Sequence, residues 1–315
     1  MKRLLLLSLG CVLALAIPAQ AKLLVAVSIA PQAYFLKQIA GDRAEALVMV
    51  PAGADAHTYE PKPRQLAALS GAALYCGVGM DFEAAWLPRF AAANPKMVIV
   101  HTDAGIEKMP MLAHEHEHEE HEQPAAIGKE AGHAHEAGHH HHHEAGEPDP
   151  HVWLSPRLAK VLGANMRDAL IKADPEGSAA YTTGYERFAA SCDTLAAGIE
   201  KLFADLPAGP HKFMVFHPSW GYFARDFGLT QVPIEQLGHE PGPKALAALV
   251  TEARKDGVKV IFVQPQMSAS QAQTLAKSIG GTVAPLDPLA GDWADNLMTA
   301  AKALRQGLAT SGETK

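Results

Sequence analysis

Histidine is where this sequence can do chemistry. Seventeen occur in 315 residues. Eleven of them (His114, His116, His118, His121, His133, His135, His139, His140, His141, His142 and His143) fall in one short tract rich in glutamate. Neutral imidazole suits zinc, copper and nickel, and flanking carboxylates raise the local concentration of cations. The tract therefore predicts several weak, unselective metal sites, since the affinity order of divalent metals does not by itself select. The zinc-protease pattern H-E-x-x-H appears twice in it, at His114–His118 and His135–His139. That chemistry needs two histidines on one face of a rigid helix. The first match lies in an alternating His-Glu run and the second contains Gly138, so both reduce to composition.

Six histidines lie elsewhere: His57, His101, His151, His211, His217 and His239. A solitary histidine is usually a structural group, but three of these gain from position. His57 sits in the loop Gly53–Pro61, just beyond the apolar stretch Ala44–Val50. His151 stands in Asp149-Pro150-His151-Val152-Trp153, before a helix, and His217 directly follows the apolar run Lys212–Phe216. Asp287, in Pro285-Leu286-Asp287-Pro288-Leu289, follows the last strand. Open α/β sheets bind ligands beyond the carboxyl ends of their strands, so these four residues could face one cleft. His101 also ends a strand, and topology does not exclude it. Glu60 and Asp149 are candidates to accept the N–H of a ligating imidazole, although loop and cap hydrogen bonds would use them equally.

The elements that must position these groups alternate strand and helix. Strands are expected at Leu23–Ile29, Ala44–Val50, Ala72–Cys76 and Met97–His101, with helices opening at Pro31 and Pro63 and a third capped by Asp81. After the tract, helices are expected from Pro156 to about Lys172 and from Ser178 to Phe203. A second alternating set follows: strands Lys212–Phe216, Leu229–Ile234 and Val258–Val263, with helices capped by Ser219 and over Ala245–Lys255, Ala269–Ile279 and Trp293–Leu308. The reading is α/β: two α/β lobes with mostly parallel sheets, joined by one long rigid helix. Residues 22–176 form the first lobe, with a disordered His/Glu-rich loop at 107–149. The connecting helix spans 177–204 and the second lobe 205–315.

Composition removes other classes. With 48% hydrophobic and 19% charged residues the chain is globular. Three cysteines cannot make a disulfide scaffold, and Cys76 and Cys192 read as two buried thiols. A net charge of -7 speaks against a nucleic-acid partner. No phosphate-binding G-x-x-x-x-G-K-[ST] and no G-x-S-x-G nucleophile elbow occurs. Lys2 and Arg3, an apolar stretch and Ala19-Gln20-Ala21 describe a signal peptide over 1–21. Cys11 lies in a weak lipoprotein box, with Ser8 where leucine is wanted, so the expected product is exported and soluble rather than lipid-anchored. Cleavage takes the charge from -7 to -9. Segment 114–149, ten acids against Lys129, also carries -9, so the rest of the mature chain is neutral.

The segments GADAHTYEPKPRQLAAL, DPHVWLSP, FHPSWGYFARDFGL, GHEPGPKALAALV, VIFVQPQMS and VAPLDPL, in this order, resemble the metal-binding receptors of bacterial ABC transporters. More narrowly, they resemble the zinc-uptake, ZnuA-like members of the cluster A-I solute-binding proteins. The resemblance implies two lobes bridged by a rigid helix, with Zn²⁺ held between them as transported ligand. It implies His57 and His151 as ligands from the first lobe, and His217 with a carboxylate at Asp287 from the second. The fourth position is left to Asp287 or a water. Ala56 stands where the family motif has proline. Three neutral imidazoles with one carboxylate or water suit tetrahedral zinc, whereas a manganese site would be richer in oxygen. The implied partner is a membrane ABC permease, the implied location the periplasm, and the chain is expected to be monomeric and to catalyse nothing. Two other readings stay open: an exported zinc hydrolase, and a periplasmic zinc buffer acting through the loop.

Overall fold

A computed structural model describes residues 22–111, 147–207, 209–235, 241–267 and 270–311. The signal-peptide reading, the eleven clustered histidines and His239 lie outside them.

Short apolar runs form the strands, and proline or a tight turn starts most of the helices between them. The first lobe contains β1 (Leu23–Val27), β2 (Ala44–Val48), β3 (Leu74–Gly77) and β4 (Val98–His101), with α1 (Ala30–Ala40), α2 (Pro63–Leu69) and α3 (Asp81–Ala93) between them. Every pairing is parallel, in the order β2-β1-β3-β4. Val27 lies opposite both Val48 and Cys76, so neighbouring strands end level and their carboxyl ends open on one side. Buried parallel strands read as continuous apolar runs, which is why they were visible in the sequence.

After β4 come α4 (Pro156–Ala173) and α5 (Ser178–Phe203). The second lobe repeats the pattern with β5 (Lys212–Val215), α6 (Gly221–Asp226), β6 (Thr230–Pro233), α7 (Pro243–Lys255), β7 (Val260–Val263), α8 (Ser270–Ile279), β8 (Thr282–Pro285) and α9 (Trp293–Ser311). Its sheet is again wholly parallel, in the order β6-β5-β7-β8. Among the described residues no helix is long and apolar enough to cross a membrane.

Two helix starts differ from expectation. Asp81 does not cap α3: Met80 holds the cap position and Asp81 is the first helical residue. Ser219 does not cap α6, whose cap position is Trp220; the Ser219 hydroxyl instead accepts from Gln264 Nε2 at 3.1 Å. Both side chains are turned toward the cleft.

At 26 residues α5 is the longest helix described, about 39 Å at 1.5 Å per residue. Its buried stripe of Tyr181, Gly184, Phe188, Cys192, Ala196, Ile199 and Phe203 keeps the 3.6-residue period. Phe188 packs 5.1 Å from the Phe35 ring of α1, and Phe35 meets Trp293 of α9 edge-on at 4.9 Å. One hydrophobic core therefore runs from the first sheet through α5 into the second lobe. A separate cluster, including Met214, Ile234, Leu249, Ile261 and Leu275, fills the outer part of the second lobe. Polar bonds also cross between the lobes. Trp153 Nε1 donates to Pro288 O at 2.7 Å, Trp293 Nε1 donates to Trp153 O at 2.8 Å, and the Ser155 hydroxyl donates to Asp226. Cys76 and Cys192 are free and buried, and burial pushes both thiols up to about 12.

Gly184 marks the closest approach of α5 to the first lobe. A Cβ there would lie 2.1 Å from the carbonyl oxygen of Ile39, which is backbone and cannot step aside. Gly184→Ala should cost about 1–3 kcal/mol, as overpacking does. At Gly198, in the same helix, a Cβ meets only the flexible end of Met298, at 3.2 Å. Gly198→Ala should be neutral or stabilise by up to about 1 kcal/mol. Urea melts of the two variants should therefore move apart, and equal midpoints would contradict the contact.

Candidate metal centre

The carboxyl ends of both sheets meet at the interlobe cleft, and three histidines converge there. His57 lies on the loop after β2. Asp55 shapes that loop: its Oδ1 accepts the backbone N–H of His57 at 2.9 Å and its Oδ2 accepts the Thr58 hydroxyl at 3.0 Å. Ala56 is 3% exposed, so the residue standing in place of proline faces the interior. His151 lies just before the short turn Val152–Leu154 that leads to α4. His217 comes two residues after β5. Gln264 grips its backbone on both sides, donating from Nε2 to His217 O at 2.7 Å and accepting His217 N–H at 3.3 Å.

Each imidazole has a carboxylate on Nδ1: Asp81 for His57 at 2.8 Å, Asp149 for His151 at 2.7 Å and Glu235 for His217 at 2.5 Å. Where these carboxylates are ionised they only accept, which puts the proton on Nδ1 and leaves the Nε2 lone pairs for a metal. One ligand atom from each of the three histidines lies within 4.8 Å of the others. His57 Nε2 and His151 Nε2 are 3.3 Å apart. Two nitrogens on a tetrahedral zinc, each bonded at about 2.0–2.1 Å, stand about 3.3–3.4 Å apart. The donor set and spacing fit zinc. The cavity above the histidines is about 90 Å³ and is also lined by Met80, Trp153, Gln266 and Met267. That is well below the roughly 300–1,000 Å³ of small-molecule pockets.

The other residues expected at the site fall differently. Asp149 does hold the N–H of a site histidine. Glu60 does not: its side chain is exposed, and Asp81 takes the Nδ1 of His57 instead. Asp287 is not brought into the three-histidine group among the described residues. Its Oδ1 is held locally, by Leu289 N–H at 2.9 Å and Gln266 Nε2 at 2.8 Å, one layer behind the cavity. His101 is exposed at the end of β4 and stands apart. Asp81, Glu235 and Gln264 were missed. Glu235 closely follows β6, so the strand-end rule that picked out Asp287 could have found it.

The site's protonation follows from burial and mutual charge. Burial pulls the His217 imidazole toward its neutral form, but Glu235's charge and hydrogen bond, with the charges of Asp55 and Asp149, outweigh this and raise its pKa. Burial pushes Asp149 up to about 7, against the His151 N–H bond and the charges of His217, His57 and Lys108.

Residues 25–307 match the family described as ZnuA, zinc-uptake complex component A, periplasmic. The chain belongs to this family. Among the curated relatives of this zinc-uptake component, the high-affinity zinc uptake system protein ZnuA of Bacillus subtilis (strain 168) is 32% identical over 276 residues, covering 86% of this chain and 79% of the relative. A crystal structure of ZnuA superposes with a TM-score of 0.78 at 35% identity, covering 91% of this chain and all of that one. A ZnuA deletion mutant with zinc bound gives the same TM-score and identity, covering 91% and 98%. The two-lobed parallel architecture is thus that of the zinc-uptake component.

The imidazole–carboxylate pairing carries a pH prediction. A metal must displace any proton on His217 Nε2, so affinity falls as pH drops through that raised pKa. The loss should begin above the ordinary imidazole value of about 6.5. Glu235→Gln removes the charge that raises it. Affinity at pH 8 should fall about 10–100-fold, while the onset of acid loss moves to lower pH. Chelator competition across pH reads both, and an unmoved onset would show that Glu235 does not set the protonation of His217.

Proposed function

We propose that this chain is an exported receptor that captures Zn²⁺ between its lobes and delivers it to a membrane ABC permease, with His57, His151 and His217 as the ligands. The observation that carries the reading is the 3.3 Å spacing of two imidazole nitrogens whose rings are each held through Nδ1 by a carboxylate, the half-buried Asp81 and the buried Asp149. A nitrogen-rich set of this kind favours zinc over manganese. Membership of a family named for zinc uptake, and a structural neighbour described with zinc bound, support the same ion. A water or a carboxylate shifting on binding completes the fourth position.

The hydrolase alternative needs room for a substrate beside a metal-bound water and a general base. A cavity of about 90 Å³ leaves little room for a substrate, and among the described residues the three carboxylates on the histidines are already engaged. The chain is accordingly read as a receptor without catalysis, acting as a monomer. Residues 1–21 are read as the signal peptide that takes it to the periplasm as a soluble protein. Residues 114–143 are read as a scavenging tract that raises the zinc concentration near the cleft.

Calorimetry on the full chain should then show one tight zinc event and several weaker ones. His217→Ala should weaken the tight event at least tenfold, the lower end of what even a lost orienting group costs. Deleting 113–147 should abolish only the weaker events. A tight event that survives His217→Ala, or vanishes with the deletion, would move the primary site out of the cleft.

A further inference from the structure

The carboxylate that orients His151 is itself placed by a residue of the other lobe. Tyr222, on α6, is fully buried, and its hydroxyl makes two hydrogen bonds. It accepts the backbone N–H of Met109 at 2.9 Å and donates to the backbone carbonyl of Asp149 at 2.8 Å. A phenol has one proton to give and lone pairs to accept, so one oxygen serves both peptides. Burial also pushes its pKa up to about 12, so the donor is kept at any working pH.

Both peptides belong to one short ladder. Asp149 N–H donates to Met109 O at 2.8 Å, Met111 N–H donates to Glu147 O at 2.7 Å, and Pro110 bridges Pro148 in antiparallel fashion. In a regular antiparallel pair Met109 and Asp149 would exchange both N–H···O bonds, but here the return bond from Met109 N–H to Asp149 O is replaced by the Tyr222 hydroxyl standing between the two groups. The Tyr222 hydroxyl supplies a further link at that point, and it comes from the second lobe. From Asp149 the path to the metal is immediate: its Oδ1 accepts both the backbone N–H of His151 at 2.9 Å and the imidazole Nδ1 at 2.7 Å. The other carboxylate oxygen rests against Gly221, beside Tyr222, where a Cβ would stand 3.2 Å from it. Asp149 is therefore enclosed by α6 on its carbonyl side and its carboxylate side alike.

We propose that Tyr222 is a positioning residue for the metal centre: through the Asp149 backbone it holds the Asp149 carboxylate, and with it the His151 imidazole of the first lobe, in register with His217 of the second. Removing the hydroxyl leaves the ring in place but frees the Asp149 peptide to shift. A shift of a few tenths of an ångström there changes the direction of the His151 lone pair. The proposal rests on the cleft reading given above.

The test uses the full chain and zinc alone. Chelator-competition titration compares wild type, Tyr222→Phe and Tyr181→Phe, each checked for folding by circular dichroism at the same temperature. Tyr181 is the matched control: its hydroxyl donates to Asp174 at 2.6 Å, at the α4–α5 corner, with no bonded path to the site. Tyr222→Phe should weaken the tight event at least tenfold and Tyr181→Phe less than twofold, even where both lower the melting temperature equally. Wild-type affinity in a folded Tyr222→Phe protein overturns the proposal and leaves Tyr222 as packing between the lobes. If Tyr222→Phe does not fold, Gly221→Ala asks the same question by pressing a methyl against the Asp149 carboxylate. Unchanged affinity in that variant overturns it too. Absence of any tight event in the wild type would instead remove the cleft reading itself.

Discussion

Three imidazoles within 4.8 Å of one another, each bonded through Nδ1 to a carboxylate, constrain the rest of the molecule. Burying so many ionisable groups together is unfavourable unless each finds its partner in good geometry. The histidines and their partners come from five separate segments in two lobes, so the lobes must hold a fixed relation. The shared core through Phe35, Phe188 and Trp293 supplies that relation, and the tryptophan hydrogen bonds across the interface lock its angle. The long helix α5 is rigid because it is packed along its length, not because helices are rigid in themselves.

Much of this was legible in the residues. Parallel strands buried on both faces show as apolar runs, and ligands gather where such strands end, which points to His57 and His217 but equally to His101; His151 stands before a helix, and the family resemblance is what grouped the three. Their orienting groups were harder. Asp81 looked like a helix cap because a carboxylate at a helix start serves two purposes equally well, and only the approach of the β2 loop decides between them. Glu60 shares a loop with His57 yet is exposed, while its neighbours Tyr59 and Pro61 face inward. Gln264 carries no charge and no motif, and its role depends wholly on which strand lies beside β5. Asp287 was picked out by its place after the last strand and again by the family resemblance; in the structure its Oδ1 accepts from Leu289 N–H and Gln266 Nε2.

The two sheets share one strand order but place their chemistry differently. His217 comes two residues after the first strand of its lobe, where the other lobe has Ile29. Glu235 comes two residues after the second strand of its lobe, where the other has Val50 and brings in His57 only further along the loop. The fold supplies equivalent places, and the side chains and loops set on them decide which become ligands.

Trp153 has a consequence of another kind. Its indole is fully buried, hydrogen-bonded across the interface, and lies 5.2 Å from the His151 ring. An excited indole is sensitive to the charge state of an imidazole at that distance. Trp220 and Trp293 are also buried, away from solvent relaxation. The molecule thus carries an optical label beside the metal site, one of the four tryptophans whose emission sums in its ultraviolet spectrum.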